Sequence, residues 1–258
     1  MAKTIVFAHG AFLTPLCWEH WRSLFEAEGY DCLAPAWPGR DRPVEALRGA
    51  QPDPELGRLT LGAVVKRYAA ELAALDEKPI VIGHSIGGLV AQILVNRGAA
   101  AAGVAIQSTP PRGVFSMKVS YLRSNWSVSA PFVDAGGPKV LTFEEFQRHF
   151  ANGLPPEAQK PAFERYIVPE SRTVFRDARG EAGRIDFAKT HPPLLLTAGV
   201  QDRVIPPRLS FNTYARYRQR GSITDFKAFD GRDHSVIVGP GWQEVAEFVV
   251  SWLKKLSA

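Results

Sequence analysis

Cysteine is scarce in this chain: Cys17 and Cys32 are the only two. Two cysteines cannot build a disulfide framework, and nothing else points to an oxidising compartment. No apolar run reaches transmembrane length, and the first one, ending at Phe7-Ala8, is too short for a signal peptide. No basic run is interleaved with base-stacking aromatics, so the formal net charge of +5 reads as scattered surface charge and not as a nucleic-acid footprint. The densest basic cluster, Arg216-Tyr217-Arg218-Gln219-Arg220, reads as the solvated end of a helix, where cations suit the dipole. His20, His149 and His191 form no H-E-x-x-H and no Cys/His pair, so no metal site is expected. Internal repeats and low-complexity tracts are missing too. These absences leave a cytoplasmic globular protein with no nucleic-acid or membrane partner as the expectation, its oligomeric state open.

What the chain does have is enough apolar residue for a large core. At 258 residues, 45% hydrophobic and 22% charged, it can bury one core, or a core and an insertion. Short apolar runs at 4–8, 31–36, 79–82, 103–107, 193–198 and 225–229 read as strands. Helical stripes lie between them: Trp18, Trp21, Leu24 and Phe25, closing at Gly29; Leu61, Val64, Val65, Tyr68 and Leu72, with Thr60 as cap; and a last helix with Trp242, Val245, Val249, Trp252 and Leu253. Residues 37–58, rich in Pro, Gly, Asp and Arg, read as a surface loop. Strands and helices in alternation predict an α/β fold: a doubly wound, mostly parallel sheet of about six strands, covered on both faces.

The alternation stops at 110–190. Aromatics take over at Phe115, Tyr121, Trp126, Phe132, Phe143, Phe146, Phe150, Phe163, Tyr166 and Phe175, punctuated by prolines such as Pro131 and Pro161. The segment is too long for a loop and too apolar for a linker, so it reads as a mostly helical insertion. It leaves from the C-terminal end of a strand, where open α/β sheets bind ligands. The expected division is therefore a core of residues 1–109 and 191–258, with a helical lid of residues 110–190.

The central stretch, 78–97, carries the chemistry. A strand runs directly into a helix through Gly83-His84-Ser85-Ile86-Gly87, a match to G-x-S-x-G. A strand that becomes a helix within one residue strains that residue, and the flanking glycines are needed where side chains would meet backbone. The hydroxyl of Ser85 would stand exposed at a helix N-terminus that favours negative charge. The plainer alternative is a helix-capping serine.

Together these pieces resemble the α/β-hydrolase family across nearly the whole chain, with strand 4–8 at the place of that family's third strand and two antiparallel N-terminal strands missing. The resemblance makes Ser85 the nucleophile and implies the order Ser…Asp…His. Asp202, in Gly199-Val200-Gln201-Asp202-Arg203, stands where the family places its acid, and His234, in Gly231-Arg232-Asp233-His234, where it places its base. Asp202 could otherwise be a turn residue and His234 a loop histidine. Asp230 and Asp233 lie too close along the loop to reach the far ring nitrogen of His234. His9-Gly10-Ala11 matches the family's oxyanion motif, which assigns backbone donors to Ala11 and Ile86, with Phe12 as the alternative to Ala11. His9 and His84 read as residues that orient loops.

What the resemblance implies is a serine carboxylic ester hydrolase without a cofactor or metal, acting on a small to medium, largely apolar small-molecule ester. Arg112, Lys118 and Arg123 could instead greet a substrate carboxylate. Ser85 argues against the dehalogenase and epoxide hydrolase branches, which place Asp at the elbow, and the loop lacks the glycine run of carbon–carbon bond hydrolases. A lactonase, thioesterase, amidase or hydroxynitrile lyase could use the same three residues, and a receptor-like binding protein could keep the fold with little or no turnover.

Overall fold

The structure is a computed structural model that describes residues 2–115, 137–217 and 221–257. Its centre is a six-stranded, wholly parallel sheet: β1 (Thr4–Ala8), β2 (Asp31–Leu33), β3 (Ile80–His84), β4 (Ala102–Ile106), then, after a long connection, β7 (Leu194–Gly199) and β8 (Thr224–Phe229). The short strands β5 (Pro138–Lys139) and β6 (Glu170–Ser171) form a separate antiparallel ladder. In space the main sheet runs β2-β1-β3-β4-β7-β8. Strands β3, β4 and β7 are buried along their whole length, as helices on both faces require. The outer strand β8 carries Asp225 and Lys227, charges that keep a free edge from pairing.

Helices cover the sheet as the stripes predict. Thr60 Oγ1 accepts the Ala63 N–H at 3.0 Å to cap helix Leu61–Ala73, whose Leu61, Val64, Val65, Tyr68 and Leu72 are buried. Trp18, Trp21 and Phe25 pack under β1, with the Phe7 and Trp18 rings stacked at 4.9 Å. In the last helix, Trp242–Ser257, Val245, Val249 and Leu253 are fully buried, and the Trp252 indole donates to Asp225 at 2.7 Å. Among the described residues no helix is long and apolar enough to cross a membrane.

Three expectations need correction. Strand β2 ends at Leu33 instead of residue 36, because Pro35 has no N–H to give the ladder; its carbonyl accepts the Tyr68 hydroxyl at 2.9 Å. Residues 37–58 are not simply a surface loop. They include helices Val44–Gly49 and Pro54–Gly57 and bury Trp37, Arg40, Val44 and Leu47. The Arg216 cluster is not a purely solvated helix end either: Tyr217 is buried, donating its hydroxyl to Gln92 at 2.9 Å. Arg218, Gln219 and Arg220 lie outside the described residues, as do Lys118, Tyr121, Arg123, Trp126, Pro131 and Phe132. Between β4 and β7 the described residues form helices Phe143–Glu145, Pro156–Tyr166 and Arg172–Arg179, a π-helical turn Phe146–Phe150, and the β5–β6 ladder, of which composition gives no sign.

The chain order reverses at β1, whose neighbours are β2 on one side and β3 on the other. Such a reversal opens a crevice beyond the strand ends. Here it is bordered by the loop after β1 and the turn after β3, which touch backbone to backbone. A Cβ on Gly87 would lie 2.0 Å from the Ala8 carbonyl oxygen, and one on Gly83 would lie 2.0 Å from that of Gly87. A Gly87→Ala substitution is therefore expected to cost about 3 kcal/mol by overpacking. Gly49→Ala, where no atom lies within 4 Å, should leave the protein at least as stable. Urea midpoints of the two variants against the parent check both.

Candidate active site

Ser85 is the single residue between β3 and helix Ile86–Asn96, and its backbone sits at φ 56°, ψ −119°. Side chains avoid this region, at a cost of roughly 1–3 kcal/mol. The turn is held by neighbours: the Ser85 N–H donates to the Ile106 carbonyl at 3.0 Å, and its own carbonyl accepts from Thr109 at 2.9 Å. Its hydroxyl makes no capping bond to the helix, which disposes of the plainer alternative.

The hydroxyl turns instead to a histidine. Ser85 Oγ lies 3.1 Å from His234 Nε2, and His234 Nδ1 lies 2.8 Å from Asp202 Oδ2. A carboxylate only accepts, so Nδ1 carries the proton and Nε2 is free to accept from the serine. All three side chains are buried. The other Asp202 oxygen accepts the Val204 and Ile205 N–H groups, each at 2.8 Å, which fixes the carboxylate plane.

Whether Asp202 reaches His234 depends on two loops that only the sheet brings together. Strands β7 and β8 pair in register up to Gly199 and Phe229, and the backbone contact continues past them: Val200 donates to Phe229 and Gln201 to Arg232, both at 3.0 Å. Gly199 permits this approach, since a Cβ there would lie 2.4 Å from the Arg232 carbonyl oxygen. Asp233 does not compete for His234. Its carboxylate accepts the Ser235 N–H and hydroxyl at 3.0 and 2.6 Å and the Gly153 N–H at 2.6 Å.

The loop after β1 is fixed through His9. Its Nδ1–H donates to the Gly10 carbonyl at 2.9 Å, leaving Nε2 to accept the Trp37 N–H at 3.3 Å, while the two rings stack at 4.7 Å. Burial, seconded by the Arg40 charge, pushes the His9 pKa down to about 3. Burial also holds His84 well below the usual imidazole range, and the neighbouring His234 ring, 4.7 Å away, adds to it. A neutral His84 leaves His234 free to take a proton without a like charge beside it. Phe12 ends the loop at φ 64°, and its N–H donates to Glu170 at 3.2 Å.

Sequence reasoning missed Arg40, Glu170 and the anchoring part of Asp233. Arg40 and Glu170 form an ion pair at 2.6 Å with neither side chain exposed. No local pattern signals a contact between residues 130 positions apart in sequence; only a buried-polar search of the folded chain finds it. Arg112 is paired with Glu181, while His191 and His20 pack as structural residues against Tyr217 and Trp242. Among the described residues no group of three metal-ligating side chains converges.

A strained serine on a strand-to-helix turn, hydrogen-bonded to a histidine and through it to an aspartate, on a six-stranded parallel sheet, defines the α/β-hydrolase architecture. The chain belongs to the alpha/beta hydrolase family, whose pattern it matches over residues 5–248. No curated protein matches it in sequence. In structure it is similar to a methylesterase from Arabidopsis (15% identity, 97% of this chain and 98% of that one, TM-score 0.68). It is also similar to a pyrethroid hydrolase from Sphingobium faniae JZ-2 (18%, 98% and 97%, TM-score 0.67). A third similar structure is a monoacylglycerol lipase from Paleococcus ferrophilus (18%, 98% and 95%, TM-score 0.69).

The two buried neutral histidines have a thermodynamic signature. Unfolded, each takes a proton near pH 6.5; folded, each refuses it until far lower pH. The unfolded state thus binds more protons below pH 6.5, and stability falls as pH drops, by up to about 1.4 kcal/mol per unit for each histidine. Burial raises the Asp233 carboxyl, which acts in the opposite sense above its ordinary range, while burial lowers His149 and adds to the decline. Urea unfolding between pH 6.5 and 4.5 should show this decline, and His9→Gln should remove about one proton from its slope.

Proposed function

We propose that this hydrolase is a serine esterase that cleaves carboxylic esters of small to medium, largely apolar molecules. The observation that carries the reading is the unbroken line Ser85–His234–Asp202, with separations of 3.1 and 2.8 Å. His234 accepts the Ser85 proton as Oγ attacks the ester carbonyl, and Asp202 holds the ring in the correct tautomer and stabilises the imidazolium. The tetrahedral oxygen takes hydrogen bonds from the Ala11 and Ile86 N–H groups. Phe12, the alternative donor, has its N–H committed to Glu170. The imidazolium then protonates the leaving alcohol, and an acyl group remains on Ser85. Water, deprotonated by the same His234, releases the acid.

Residues 110–190 form the lid over this site, and residues 1–109 with 191–258 the core. Apolar surroundings support the substrate class. A cavity of about 20 Å³ beside His234 is lined by Leu13, Phe146, Phe150, Ile167 and Val238. A larger one of about 210 Å³ starts at Thr109, next to the nucleophile's carbonyl, and runs past Pro111 to Phe175. The names of the three structural neighbours, a methylesterase, a pyrethroid hydrolase and a lipase, agree with ester cleavage.

Turnover of a p-nitrophenyl ester series tests the proposal. The wild-type protein should hydrolyse short to medium acyl chains, and Ser85→Ala should lower kcat at least about 10³-fold without loss of fold. A fluorophosphonate should label the wild type and not the variant. Labelling without ester turnover would move the reading to another acyl or lyase chemistry of the same three residues; no labelling of folded protein would favour the binding protein.

A further inference from the structure

One strained residue that no step above uses is Phe12. A bulky side chain at φ 64° persists only where its surroundings over-determine it. The hydrogen bonds and ring contacts that hold it come from the segment between β4 and β7. The Phe12 N–H donates to Glu170 Oε2 at 3.2 Å, its carbonyl accepts the Val168 N–H at 2.9 Å, and its ring packs against Phe150 and Phe175. Glu170 is fully buried. Its other oxygen accepts the Ser171 N–H at 2.7 Å and lies 2.6 Å from Arg40 Nη2.

We propose that Glu170 is a positioning residue that sets the oxyanion loop, with Arg40 as its obligatory counter-charge; this rests on the serine esterase reading. The loop has two fixed ends. His9, clamped by Gly10 and Trp37, fixes the first, and Glu170 fixes the second by holding Phe12 in its left-handed conformation. Ala11 lies between them, so the direction of its N–H is decided by both. A carboxylate suits the task because its two oxygens accept from two backbone donors while its charge faces a buried guanidinium. Alone, that negative charge would oppose the oxyanion developing on the same loop; Arg40 cancels it. The pair therefore leaves the loop held and the local field near neutral.

A merely structural pair would move stability and leave the transition state alone, so the test reads both. Glu170→Gln leaves one acceptor oxygen for the Phe12 and Ser171 N–H groups and sets an amide donor against one of them, so it is expected to lower kcat on the p-nitrophenyl esters ten- to a hundred-fold with KM within about twofold. It should weaken the tetrahedral adduct with an aryl trifluoromethyl ketone by the same factor. Arg40→Met/Glu170→Leu removes both charges, which folded proteins tolerate better than losing one. It should melt close to the wild type and show at least the same loss, because leucine leaves the Phe12 N–H with no acceptor at all. Either variant with wild-type kcat and adduct affinity, whatever its melting temperature, would overturn the proposal. Wild-type protein that neither turns over an ester nor labels at Ser85 would overturn the esterase reading, and this inference with it.

Discussion

Everything at this site depends on one close approach between two stretches of backbone. Gly87, in the first turn of the helix that follows Ser85, lies against the carbonyls of Ala8 and His9, and Gly83 lies against Gly87 itself. No side chain fits between them. The contact brings the loop after β1 alongside the turn after β3, so that Gly10 packs on Ser85. It also explains why Ser85 accepts an unfavourable backbone: strand and helix are each pinned by burial, and the one residue between them absorbs the mismatch.

A second join, between β7 and β8, completes the constellation from the other side. Parallel pairing in register carries the loops of Asp202 and His234 out of the sheet side by side, and two further backbone hydrogen bonds keep them together. The separation of 32 residues between Asp202 and His234 in sequence then becomes 2.8 Å in space. Asp233 is occupied by Ser235 and Gly153, and the neutral His84 packs on His234 without competing for its protons.

How much of this the sequence discloses follows from the range of each interaction. The strands are legible because short apolar runs such as Ile80-Val81-Ile82 have one use in a chain that alternates them with helices. The elbow is legible because glycine on both sides of Ser85 is a local demand of backbone geometry. Asp202 and His234 are legible only by resemblance, since the register that joins them belongs to the sheet. Arg40 shows where composition misleads: surrounded by Pro, Gly and Asp, it reads as solvated, yet it is buried because a carboxylate on a distant strand receives it. Phe12 gives no sign of its left-handed backbone, because what enforces it lies about 160 residues away.

The segment between β4 and β7 is fastened to chemistry-bearing loops at several points: Asn152 to the Gln201 carbonyl, Gly153 to Asp233, Val168 and Glu170 to Phe12. These fastenings make roof and floor a single unit of inheritance. A recombination event that exchanged this segment for a relative's would replace the partners of the Asp202, His234 and Phe12 loops in one stroke. A change at Asn152 or Glu170 therefore reaches the loop it holds as well as the segment that carries it.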